Sequence, residues 1–560
     1  MKRLICNGTI IDGTGEDAFT GDVLIDGDRI AAVIPGGSGS FSVGLGSDGD
    51  AKRLKSTLNG LDADEVIDAT GKLMTPGFID AHAHSDAYLV LEPDAPSKIS
   101  QGITTEINGQ CGGSIAPRYG EARLSSDWAA LLGEKLTWRS LAEYREVLAA
   151  AKPALNTIQF IGHNTLRSSV AGYCARPLAD GELAAMTRLL EQSLDEGGWG
   201  LTTGLIYQPG RYSTPAEVVA LAKATAAKGG FYATHMRSEG DRILEAIDEV
   251  LDLVKATGIR AEISHLKTSG KRNWSKIDAV LGKIEGAVAD GLLLGSDRYP
   301  YCAAGTDLDI VLPDWAQEGG VPAEIERIKS DALKAKIIEE VNASDRDWST
   351  VMIGGTWHPD NEPFSGRRVS EILRRRSAID ESTDRRIDES RLTPGELIVS
   401  ILEKDGFKTG GFFFGMSEEN LAKIYSRPWI VPGSDASLRS PRGPLGADHP
   451  HPRAYATMPE FYRRVRALGF TREETVARMT SVPCDRFGIR GRGRLVPGAY
   501  ADLVVWKEEE FKALSTFDEP HRFSGGVELV MVNGSVPYRR GVFTGDRAGR
   551  FLERDDSRCV

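Results

Sequence analysis

The sequence is poor in several things, and each shortage excludes something. Its 560 residues hold six cysteines, Cys6, Cys111, Cys174, Cys302, Cys484 and Cys559, without framework spacing. Scattered thiols argue against a disulfide scaffold and fit a reducing compartment, where one of them is free to have a chemical task. No apolar run approaches the ~20 residues of a membrane helix. The opening "MKRLICNGTIIDG" enters a short strand and a turn without the long apolar core of a signal peptide. Positive charge is in deficit: 68 Lys and Arg stand against 80 Asp and Glu, a formal net charge of −12. That balance argues against nucleic acid or an anionic membrane as the main partner. HExxH, CxxC, GxSxG and GxxxxGK[ST] are missing, which removes the commonest competing enzyme classes. The expectation is a cytoplasmic enzyme acting on a small molecule, with monomer and homo-oligomer both left open.

What is present has an ordered layout. The first seventy or so residues alternate short strands with Gly/Asp turns, interrupted by "GGSGSFSVGLGSDGD", which reads as an exposed insertion. "GRLVPGAYADLVVW" and "GGVELVMVNGSVPYRRGVF" repeat that style near the other end, so residues 1–75 and 491–560 are expected to form one small β domain. Between them eight apolar segments read as strands: "KLMTPGFIDAHAH", "GITTEINGQC", "NTIQFIGH", "GWGLTTGLIY", "GFYATHMR", "RAEISHLK", "LLLGSDRYPY" and "PWIVPGSDAS". Most are followed by a helical period. "TPAEVVALAKATAAKGG" offers Thr214 as N-cap, Pro215 at the first helical position and Glu217 to close a capping box, and Thr471 with Glu474 offers the same box. Eight such units over residues 76–490 predict an α/β fold, a TIM-type (β/α)8 barrel with its chemistry at the C-terminal ends of the strands. The competing open doubly wound sheet finds no phosphate-binding loop to support it. The connection after strand seven, about residues 302–427, is far too long for a simple loop and must carry structure of its own. Helices are expected at "AEIERIKSDALKAKIIEEV", "TPGELIVSILEKDG" and "SEENLAKIYSRP", and the charged "RRRSAIDESTDRRIDES" reads as mobile. An insertion on the catalytic face of a barrel is commonly a lid or a specificity element.

The strand ends carry the chemistry. Strand one ends in His82 and His84, strand two in Cys111, strand three in His163, strand five in His235, strand six in His265 and strand eight in Asp435. Each residue alone has an ordinary structural reading, but five of the nine histidines in such places do not. Residues i and i+2 of a strand share a face, so His82 and His84 converge on one point. Thiolate and imidazole together favour zinc over magnesium or calcium. Cys111, His235 and His265 read as a tight three-ligand site, and His82, His84 and Asp435, across the barrel mouth, as a second, weaker one. A metal so held lowers the pKa of its water toward ~7 and polarises a carbonyl, with Asp435 as the natural base. Lys267, two residues beyond His265, should project into the same cavity and be matched there by a substrate anion. The remaining histidines and thiols read as ordinary: His358 and His521 without a role, His449 and His451 shaping the last loop, and Cys174, Cys302 and Cys484 as small buried apolar residues.

"PGFIDAHAHSD", "QGITTEINGQCGGSIAP", "IGHNTLR", "ATHMRSEG", "SHLK", "YPY" and "PGSDAS…HPHPR" together resemble the amidohydrolase superfamily, and more narrowly its D-aminoacylase branch. The likeness covers nearly the whole chain. The paired histidines with the strand-eight aspartate are specific to the superfamily. The cysteine of "GQCG", standing where many relatives use a carboxylated lysine or a glutamate, is specific to the branch. The resemblance implies zinc ligation by Cys111, His235 and His265, with His82 and His84 at a second site and Asp435 as catalytic acid and base. It further implies that Lys267 and Tyr299 contact the substrate carboxylate. Arg453 matches a position implicated in acidic side-chain recognition, Thr306 is a loose match, and His163 faces substrate or supports the site. The activity implied is zinc-dependent hydrolysis of N-acyl-D-amino acids, with one tight zinc and room for a second, weaker one. The alternatives on the same scaffold are a cyclic amidase of the hydantoinase or dihydropyrimidinase type, or a dipeptidase. A non-enzymatic relative is disfavoured because such relatives lose metal ligands, and all six are present here.

Overall fold

The computed structural model describes residues 1–36, 56–58, 61–124, 126–378 and 392–554. The Gly/Ser-rich insertion from residue 37 onward and residues 379–390 of the charged stretch lie outside them.

All eight expected strands form, and they run parallel in chain order. They are Phe78–Asp80, Ile103–Asn108, Asn156–Gln159 continued by Ile161–Gly162, Gly200–Gly204, Phe231–His235, Arg260–Ile263, Leu294–Arg298 and Ile430–Pro432. The first and last are joined by Ala81 N–H donating to Pro432 O at 3.1 Å and by a parallel bridge between Ala83 and Ala436. Their side chains are buried on both faces, as parallel strands between an interior and a helical layer must be. The fold is α/β, of the TIM (β/α)8 type.

The first run read from the sequence divides in two. Leu73–Pro76 belongs to the small sheet and Phe78–Asp80 to the barrel, and Gly77 lets the chain pass from one to the other. A Cβ at Gly77 would lie 2.1 Å from Thr104 Oγ1, closer than any side chain allows. The small sheet runs Val542–Phe543, Ser535–Arg539, Val527–Val532, Leu503–Trp506, Leu73–Pro76, Lys2–Ile10, Phe19–Asp26, Arg29–Pro35, with Glu65–Asp68 also on Lys2–Ile10. The antiparallel pair Leu73–Pro76 and Leu503–Trp506 is where the two ends of the sequence meet.

The helix signals hold with one instructive exception. Thr471 and Glu474 form a full capping box, as do Thr393 and Glu396. Thr214 caps Pro215–Ala227, but the Glu217 carboxylate turns away to His163 Nε2 at 2.9 Å and Arg167 Nε at 3.2 Å, so only half of that box exists.

The connection after strand seven builds its own core from Leu308, Ile353, Val369, Ile398, Leu402 and neighbours. The helical run expected from residue 323 to 341 is two helices, Val321–Ile328 and Asp331–Ala343, while Pro394–Asp405 and Glu418–Tyr425 match their expected segments. A three-stranded antiparallel sheet of Ala304–Asp307, Gly410–Phe413 and Val351–Ile353 was not foreseen.

Trp506 locks the small sheet to the barrel. It is fully buried, donates from Nε1 to Thr75 Oγ1 at 3.2 Å, and packs on Phe78, Phe511 and Tyr462 at ring separations of 6.3, 4.8 and 5.1 Å. Trp506→Ala should cost ~3–5 kcal/mol, the range for emptying a buried aromatic site. The check is the midpoint of chemical unfolding, and an unmoved midpoint would mean that this seam bears no stability.

Candidate metal centre and active site

The strand ends bring five of the expected donors and one carboxylate to one point. His235 is the last residue of its strand, while His82, His84, Cys111, His265 and Asp435 stand on the turns just beyond theirs. Cys111, His265 and Asp435 have left-handed backbone, with φ of 53°, 38° and 49°. That conformation costs roughly 1–2 kcal/mol for a residue with a Cβ and clusters at functional sites. Strand eight comes very close to strand one: a Cβ at Gly433 would lie 2.6 Å from the His82 Cβ.

Cys111 is the centre. Its Sγ lies 3.3 Å from His82 Nε2 and 3.3 Å from His265 Nε2. Asp435 Oδ1 is 3.1 Å from His84 Nε2 and 3.4 Å from His82 Nε2. The donors fall into two groups, His82–His84–Cys111–Asp435 and Cys111–His235–His265, each with its ligand atoms within 4.8 Å of one another. The sequence reading put the second set across the barrel mouth; in the structure the two sets are adjacent and share the thiol.

Carboxylates stand behind the imidazoles. His82 Nδ1 faces Asp297 Oδ2 at 3.2 Å, and His265 Nδ1 faces Glu239 Oε1 at 3.0 Å, so in each ring the other nitrogen points at the centre. This is the arrangement that fixes tautomer and orientation in ligating histidines. Burial would raise the Cys111 thiol, but the His82 and His265 rings pull it well below its usual range. Burial acts likewise on Asp435, and Arg453 with the neighbouring histidines overrides it, keeping the carboxyl ionised. For His84 burial works downward, yet Asp435 and Cys111 raise it to about 9.

The donor set fits a soft divalent metal, and one detail of the fold points to it directly. His235 is 5 % exposed, and neither of its ring nitrogens has a hydrogen-bond partner; Glu239 Oε2 lies 3.6 Å from Nε2. Buried polar atoms are almost always paired, so an orphaned imidazole beside a thiolate is a ligand's environment.

A cavity of about 890 Å³ opens onto this centre, lined among others by His84, Cys111, Tyr207, Thr306, Asp435 and Arg453. Arg453 donates from Nη1 to Asp435 Oδ2 at 2.7 Å and from Nη2 to Gly305 O at 3.1 Å. Tyr299 is fully buried, its hydroxyl has no partner, and Arg453 and Arg298 stack on its ring at 4.7 and 3.9 Å.

Two expected site residues have partners within the protein. Lys267, like His235, His265 and Tyr299, stands outside the cavity wall. Its strand has ended at Ile263, and the left-handed turn at His265 sends Lys267 behind that ring, where Nζ bonds Glu239 Oε1 and lies 2.7 Å from His265 Nδ1. Its charge is therefore matched within the protein. His163 opens the helix His163–Ala171, and its ring is spent on Glu217; the next residue, Asn164, lines the cavity instead. Cys174, expected to be buried, is exposed, whereas Cys484 is buried as expected.

The sequence reading missed Glu239, Asp297 and Tyr207. Glu239 is i+4 from His235 and Asp297 lies on strand seven, each behind a donor. Tyr207 follows strand four, one of the two strands with no donor assigned, and its ring meets His235 edge-on at 4.9 Å.

The chain is 33% identical to an N-acyl-D-glutamate deacylase of Alcaligenes xylosoxydans xylosoxydans, over 100% of this chain and 97% of that protein. A solved D-aminoacylase superposes with a TM-score of 0.77 at 30% identity, covering 99% of both chains. An N-acyl-D-glutamate deacylase from Bordetella bronchiseptica, solved with zinc and a phosphonate mimic of the tetrahedral intermediate, gives 0.77 at 29% identity over 98% of this chain and 99% of its own. The model of the amidohydrolase family matches residues 65–538, and with relatives of this identity aligned end to end, the chain belongs to the amidohydrolase family.

Proposed function

We propose that the protein is a zinc-dependent hydrolase that removes the acyl group from N-acyl-D-amino acids. The observation that carries the reading is the Cys111 sulfur common to two donor groups, with the Asp435 carboxylate at the edge of one of them. The names of the similar proteins support the substrate class. In this reading Cys111, His235 and His265 hold the tight zinc, and His82, His84, Cys111 and Asp435 hold a second, weaker one. Zinc when bound supplies Lewis-acid polarisation of the amide carbonyl and a more acidic water.

The residues of the chain do the rest. Asp435, held ionised by Arg453, takes the proton of the attacking water and returns it to the departing nitrogen. Arg453, whose Nε lacks a partner, and the unpartnered Tyr299 hydroxyl offer a cation and a donor to the substrate carboxylate. Lys267, already paired with Glu239, acts from behind His265 and shapes that anchor from beneath. Two further parts of the reading concern organisation and place: residues 1–75 and 491–560 form a domain separate from the barrel of 76–490, and the enzyme works in the cytoplasm, where its free thiols stay reduced. Among the described residues no helix is long and apolar enough to cross a membrane.

The proposal is tested with a panel of N-acetyl-D-amino acids, their L-enantiomers and their C-terminal amides on the zinc-loaded protein. Turnover of the D-acids is expected, with the L-acids and amides poor; equal turnover of acids and amides would remove the carboxylate anchor from the reading. Cys111→Ala is expected to abolish binding of both zinc equivalents, since the thiol is common to the two groups, and retention of the tight equivalent by metal analysis would break the assignment. Asp435→Asn should keep the tight zinc and lower kcat by about 10²–10⁴-fold, the span of a lost general base. A raised KM at unchanged kcat would instead make Asp435 a substrate-positioning group.

A further inference from the structure

Lys98 has no exposed surface. It lies on the short helix Pro96–Ile99 between strands one and two, belongs to neither donor group and stands outside the cavity wall. Its Nζ has four acceptors: Asp80 Oδ2 and Glu106 Oε1 at 2.8 Å, and Ser434 Oγ and Ala436 O at 2.9 Å. The carboxylates explain how a buried ammonium is tolerated. The other two acceptors explain what it does, because they are the residues on either side of Asp435.

Asp80 completes the clamp. The carboxylate oxygen not used by Lys98 accepts from Ser434 N at 2.8 Å and from His82 N at 3.3 Å. Ala436 N donates to Ser434 Oγ at 3.2 Å, and Asp435 N donates to His82 O at 2.7 Å. Asp435 itself sits at φ 49°, a conformation that a residue with a Cβ keeps only where its surroundings over-determine it. Here the over-determination comes from the Lys98–Asp80 pair, which grips the chain one residue before and one residue after the strained position.

We propose that Lys98 is a positioning residue for the hydrolysis, clamping the backbone on both sides of Asp435 so that its carboxylate stands at the donor cluster. The inference rests on the reading of Asp435 as proton carrier. Lys98 touches neither substrate nor metal and acts only through Asp435.

The test compares Lys98→Met, Asp435→Asn and the double variant in the full-length, zinc-loaded protein, by zinc content, KM and single-turnover rate with enzyme in excess. Lys98→Met should retain the tight zinc equivalent and the parental KM while its single-turnover rate falls ~10–100-fold, the usual cost of removing an outer support. In the Asp435→Asn background the same substitution should change the residual rate by less than about threefold, since the residue it acts through is already altered. Equal losses in both backgrounds, or a folded, zinc-loaded Lys98→Met with parental rate, would overturn the proposal. Should Lys98→Met fail to fold because Asp80 and Glu106 lose their counter-charge, Lys98→Met with Glu106→Gln carries the same comparison. Failure of that variant also to fold would make Lys98 a member of a structural ion cluster and nothing more. A parental rate for Asp435→Asn alone would instead strike the reading of Asp435, separately from Lys98.

Discussion

Parallel strands send alternate side chains to opposite faces, so a strand that merely continued could not aim its last residues across the barrel mouth. The chain meets that constraint by reversing φ. Cys111, His265 and Asp435 leave their strands in left-handed turns and point inward. Each reversal costs roughly 1–2 kcal/mol and must be held by neighbours. Asp435 is held by the Lys98–Asp80 clamp, and His265 by its N–H on Asp297 Oδ1 at 3.0 Å. Cys111 follows Gly109 and Gln110 and precedes Gly112, which approaches Gly204 N so closely that a Cβ there would lie 2.4 Å away.

Charge is arranged around those turns as consistently as geometry. Three of the four imidazoles around the thiol face a carboxylate that fixes the ring, and His235 alone has no hydrogen-bond partner. Asp297 backs His82 and Glu239 backs His265, while Asp435 faces His84 and His82 from the open side. Lys267 and Arg453 then balance Glu239 and Asp435. Two of the carboxylates that face the donors are thus each matched by a cation of the chain.

What the sequence displayed was local. Apolar runs ending in His, Cys or Asp marked the strands and the donors, and Thr393–Glu396 and Thr471–Glu474 marked helix starts because a capping box is written in four residues. What it hid was non-local. Glu217 looks like a box residue, yet its carboxylate serves His163, 54 positions away. The pairing of Lys267 with Glu239 was hidden because the period-two rule does not extend past the end of its strand at Ile263. Lys98 gave no signal, since its partners lie from 8 to 338 positions away on three different segments. The sheet of the long insertion was invisible because strands of three or four residues, such as Val351–Ile353, are too short to show alternation.

The account stands or falls on a thiol shared between two donor groups. Zinc X-ray absorption on the protein loaded with one and then two equivalents measures it directly, through the sulfur contribution at ~2.3 Å. A shared Cys111 predicts about one sulfur per zinc at both loadings, because the second ion finds the same thiolate. A fall to about half a sulfur per zinc at the second equivalent would show that the thiol serves one ion alone, and would contradict the arrangement from which the proposed chemistry follows.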